Sequence, residues 1–100
     1  MNPARGETAI AVGGQDITLR PSFAALVAAE QELGSLFALV ERAAEGRLML
    51  HEMVALFWHC AVPAEGELSR ERLGEAVTEV GLVGAAPVLK ALIGEILKGR

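Results

Sequence analysis

The chain has no tyrosine, a single cysteine, a single tryptophan and only four prolines. One cysteine, Cys60, excludes an internal disulfide and fits a reducing, intracellular setting. Basic residues are also scarce: 9 Lys and Arg stand against 13 Asp and Glu, giving a net charge of −4 and a pI of about 5.1. Arg70 and Arg72 are the nearest approach to a basic cluster, so neither nucleic acid nor an anionic membrane surface is an expected partner. The strongest uninterrupted apolar run, residues 53–58, falls far short of the roughly 20 residues that span a bilayer. The start, Asn2-Pro3-Ala4-Arg5-Gly6-Glu7, lacks the apolar core of a signal peptide. The expectation is a soluble cytoplasmic protein forming one domain over residues 1–100, with 1–6 as a loose leader.

What is present is apolar surface and clear punctuation. Apolar residues make up 52% before the 11 glycines are counted, against a usual 45–50% or so with glycine included. Much of the excess is alanine, yet it still exceeds what one small core hides, and a partner or self-association is the natural outlet. Thr8 to Val12 and Ile17 to Leu19 alternate in polarity around Gly13-Gly14, the pattern of a β-hairpin over 7–20. Ile10, Val12, Ile17 and Leu19 form its inward side.

After Pro21 the period becomes helical. Ser22, Ser35 and Ser69 each precede an apolar-periodic segment and are N-cap positions, while Gly34, Gly46 and Gly81 are stops. Phe23, Leu26, Val27 and Leu33 give the buried stripe of the first helix, and Leu36, Phe37, Val40, Ala43 and Ala44 that of the second. Leu50, Met53, Val54, Phe57, Cys60 and Ala61 form the third stripe, ended by Pro63 and a polar linker at 64–67. Leu73, Ala76, Val77 and Val80 form the fourth. Ala85, Val88, Leu89, Leu92, Ile93, Ile96 and Leu97 give the last helix an unusually wide apolar band. The fold class is α+β, mainly α: an N-terminal β-hairpin followed by four to five short helices in a small bundle over 22–98.

No catalytic constellation is present. His51, Glu52 and His59 share a helix without the H-E-x-x-H spacing of a zinc site, and read as ordinary helix-surface residues. Cys60 lies on an apolar face and reads as a small buried hydrophobe. Gly13-Gly14 lacks the frame of a phosphate loop. The helices around Gly81 mimic a helix-turn-helix in length, but the second offers Lys90 and little else for DNA. No enzymatic activity, metal or cofactor is expected. Trp58, on the flank of the third helix, reads either as core filling or as an anchor in a partner interface. The band of the last helix divides the same way.

Taken end to end, the sequence resembles the short tail proteins of gene transfer agents and related phages of α-proteobacteria, among the phage tail assembly chaperones. The likeness rests on N-P-x-R-G-E at Asn2 to Glu7, and on L-x-x-x-E-x-x-L-G-S-L at Leu26, Glu30, Leu33, Gly34, Ser35 and Leu36. It rests further on Gly46-Arg47-Leu48 and on an acidic pair of helices around Val80-Gly81. Trp58-His59-Cys60 departs from the small apolar residues usual there. The resemblance implies a chaperone that coats the tape measure protein and passes it to tail tube subunits. The same family is also described as a tail tube protein, which implies instead a structural component of the particle tail. It supplies no catalytic residues. The residues expected to meet a partner are Trp58, Val62, Leu89, Leu92, Ile93 and Ile96. Helix-in-groove packing is the expected mode, with strand addition at the hairpin edge as the second.

Overall fold

Gly13 and Gly14 both take positive φ, at 56° and 82°, which is what a two-residue type I′ turn demands of its central residues. The turn joins β1 (Thr8–Val12) to β2 (Gln15–Leu19) in an antiparallel pair with Ile10 opposite Ile17. Ile10, Val12, Ile17 and Leu19 are all buried, as the alternation predicts. This computed structural model describes residues 7–62 and 68–99. The expected leader at 1–6, and Pro63 with the linker at 64–67, lie outside the described residues.

Four helices follow: α1 (Phe23–Leu33), α2 (Leu36–Ala44), α3 (Leu50–Cys60) and α4 (Arg70–Lys98). The expected α+β, mainly α architecture is what forms. Each of the three serines caps its helix: Ser22, Ser35 and Ser69 accept hydrogen bonds from the backbone N–H of Ala25, Ala38 and Arg72. Glu30 accepts from the N–H of Leu36 at 3.0 Å and ties the end of α1 to the start of α2, which leave each other at 78°.

Helix α3 is the centre of the molecule. Seven of its eleven residues are buried, among them Leu56 and Phe57 with no exposure at all. Helices α1 and α4 pack against it, α4 also packs against β1, and α2 packs on α1. Beyond α3 the chain runs back along the outer edge of β2. Arg20 N–H donates to Cys60 C=O at 2.7 Å and Val62 N–H to Thr18 C=O at 2.8 Å. That edge, considered for strand addition, is therefore occupied at residues 18–20.

Two of the expected stripes are rotated. In α1 the buried residues are Ala25 and Ala29, while Phe23 is 83% exposed. In α2 the buried residue is Leu39, while Phe37 is 79% exposed and Ala44 is exposed. Helix α1 turns its alanines to the core and α2 a single leucine, and both leave a phenylalanine outside. Leu50 of the third stripe and Val80 of the fourth are also exposed. The two C-terminal helices meet without a loop. Gly81, at φ 84° and ψ 158°, breaks the helical path inside α4. That region of backbone space belongs almost wholly to glycine, and other residues cost about 1–3 kcal/mol there.

Among the described residues, Glu52 is the one buried acid on a helix. Arg42 of α2 donates to both its carboxylate oxygens, at 2.7 and 2.5 Å, and Met49 N–H donates at 3.0 Å. Arg42, then the Met49 N–H, hold the Glu52 carboxyl below the usual carboxylate range. A lowered folded-state pKa contributes stability that is present above the unfolded pKa and is lost as pH falls through the folded one.

Arg42→Ala is expected to destabilise by about 1–3 kcal/mol at pH 7, because it leaves a buried carboxylate without its cation. The gap between variant and parent should shrink as pH falls below about 4.5, where Glu52 of the unfolded chain protonates, and close as pH passes the lowered folded-state value, as urea unfolding across pH will read. Gly81→Ala should lower the melting temperature by about 10 °C, the effect of roughly 2 kcal/mol in a domain this size.

Candidate interaction surface

The second half of α4, residues 82–98, starts with Leu82 and Val83, which are 61% and 90% exposed. Val88, Leu89 and Ile96 are partly buried against the core, and Ala85 and Leu92 are buried in it. Opposite lies α2. Between them runs a groove of about 450 Å3 lined by Val40, Ala43, Ala44, Ala86, Leu89, Lys90, Ile93 and Leu97. A second depression of about 300 Å3 adjoins it, lined by Leu26, Glu30, Leu36, Phe37, Val40, Ile96 and Leu97. Val40 and Leu97 belong to both, so the two make one continuous apolar strip across α1, α2 and α4. Its charged residues are Glu30 and Lys90 alone.

By length and composition α4 is apolar enough to cross a membrane, yet only 11% of its most apolar 18-residue window is buried. Counting uninterrupted apolar runs passes over this helix, because glycines and isolated charges interrupt it. Gly81 divides it, so it is not one straight rod.

The six residues expected at an interface separate. Leu89, Ile93 and Ile96 line the strip. Leu92 does not: with zero exposure it faces the core, and packing is its role in this fold. Trp58 and Val62 are half-buried elsewhere. The Arg70 guanidinium stacks over the Trp58 ring at 5.9 Å, and Val62 is held by its bond to Thr18. Phe37 and Leu97 rim the strip: the helical period places Phe37 on the apolar stripe of the second helix and Leu97 in the band of the last helix, and neither is among the six residues expected at an interface.

Around Trp58 the charges form a second feature. Glu32 of α1 accepts from Arg70 at 2.6 Å and contacts His59 Nε2 at 2.7 Å, linking α1, α3 and α4. Arg70, then His59, draw the Glu32 carboxyl down to about 2. His59 is therefore engaged in a hydrogen-bonded network that joins three helices. His51 is exposed and lines a separate groove with Glu32, Leu50, Val54, Arg70, Gly74, Glu75 and Thr78. Among the described residues no group of three His, Cys, Asp or Glu is placed to hold a metal ion. Burial pushes the Cys60 thiol up to about 12, which keeps it protonated and unreactive.

The arrangement is an apolar strip with two isolated charges, Glu30 and Lys90, in its lining and small residues in its walls. No curated protein and no solved structure matches the chain. The sequence model of one family, described as phage tail tube protein, GTA-gp10, matches residues 5–99. The match spans nearly the whole chain, which belongs to this family of phage and gene-transfer-agent tail proteins.

Proposed function

We propose that this protein is a structural component of a phage-like tail, held to its neighbours through the apolar strip between α2 and α4. The observation that carries the reading is the strip itself, within a chain that the tail tube family matches from residue 5 to residue 99. Proteins that act alone rarely leave so much large apolar side chain in water.

A second reading, the assembly chaperone, draws on one further observation. One end of the outer edge of β2 is taken by residues 61–62, and α4 packs against β1, so the hairpin is poorly placed to extend a sheet in a tube wall. Contact by helices suits a protein that covers the apolar helices of a tape measure protein during tail building and then leaves. In both readings it binds protein and performs no chemistry of its own.

Residence in the particle separates them. Quantitative mass spectrometry of purified particles is expected to find this chain at a fixed number of copies per tail. Its absence from particles, with co-purification of tape measure protein from cells halted before tail completion, overturns the structural reading in favour of the chaperone. Ile93→Asp is expected to remove tail contacts at either stage while circular dichroism and melting remain near those of the parent, since Ile93 is only half-buried.

A further inference from the structure

Residues 82–96 of α4 carry Leu82, Ala86, Leu89, Ile93 and Ile96 at alternating steps of four and three. That is the 3.5-residue period of a coiled-coil seam. One flank of the seam is used internally, since Ala85 and Leu92, each one position before a seam residue, are buried. The other flank is open: Val83 and Leu97 are 90% and 61% exposed, and Ala86 is exposed. Helix α2 supplies a facing wall through Val40, Ala43 and Ala44. Alanine at 43, 44 and 86 lets a third helix come close to both.

The charge on this groove selects the occupant. Lys90 is its one charged lining residue, stands midway along the exposed seam, and makes no hydrogen bond or ion pair among the described residues. A second copy pairing antiparallel about the middle of the seam brings Lys90 against Lys90, an opposition of like charges beside an apolar seam. A helix from a different chain, carrying a carboxylate at that level, neutralises it instead.

We propose that the α2–α4 groove receives an amphipathic helix of another tail protein, apolar along one stripe and bearing Asp or Glu opposite Lys90. The inference rests on the protein-binding reading above for the kind of partner and adds its chemistry and register.

The probe is a synthetic 18-residue helical peptide with Leu and Ala at four-three spacing and Glu at the central flanking position, beside a twin with Lys there. Fluorescence anisotropy with the full chain at low salt is expected to show the Glu peptide binding about tenfold more tightly than its twin. Lys90→Glu should reverse that order. Ala86→Trp, at an exposed position, should abolish binding of both peptides without lowering the melting temperature. Equal affinity for the two peptides, or none for either, overturns the proposal. So does a dimer mass by light scattering that Ile93→Asp returns to monomer, which gives the face to a second copy. Co-sedimentation with neutral phosphatidylcholine vesicles, lost in Ile93→Asp, gives it to a lipid surface. None of these measurements involves particles. Failure here with the chain present in purified tails overturns the groove alone, and selective peptide binding with the chain absent from tails overturns residence alone.

Discussion

A chain of 100 residues has enough material to enclose one helix, and here that helix is α3. Leu56 and Phe57 point to different sides of it and neither reaches water. Covering α3 takes the alanine side of α1 and a face of α4, and α4 is in turn packed on β1. Little is left to cover anything else. The second half of α4 reaches the core through Ala85 and Leu92 and leaves the rest of its apolar band outside. The open strip is thus a consequence of the enclosed helix: the same apolar excess that builds the centre leaves a surface needing a partner.

The polar contacts reinforce that division. Arg42 and Glu52 fasten α2 to α3, and Glu32 fastens α1 to both His59 and Arg70. Arg20 pairs with Glu7 beside the buried face of the hairpin. All three clusters lie between elements that pack on the core. The strip has no such cluster. Glu30 is occupied by the Leu36 N–H, and Lys90 is free of protein partners among the described residues. Charge serves internal cohesion on one side of the molecule and is left available on the other.

Local chemistry made the elements legible. The Gly-Gly turn, three serine caps and glycine stops each act within four residues, so they can be read without knowing what packs where. The faces were less legible. A helical period shows that Phe23 and Phe37 share stripes with aliphatic residues, but not which side of α1 meets α3. Close approach to α3 favoured Ala25 and Ala29 over the larger Phe23. Leu92 is buried while its neighbours are not: a band that wide has an inside and an outside, and only tertiary packing decides between them. Glu52 gave no sign of burial because its partner Arg42 sits ten residues earlier, on another helix. Gly81 was read as a stop and is one, yet the two helices it separates abut directly.

The structural and chaperone readings differ less in surface than in lifetime. Both need the apolar strip to close over another protein, and three of the eight residues lining the groove are alanine, which offers close approach and little side-chain area. On either reading, affinity would follow well-packed anchors more than exposed area. Repetition changes that. Where neighbours also touch one another, each added copy binds at a raised effective concentration and the whole assembly persists. Where they do not, each copy exchanges quickly and can be displaced by a tighter-binding subunit. The same groove serves a permanent part or a departing one, and contacts between neighbouring copies, outside the groove, set which it becomes.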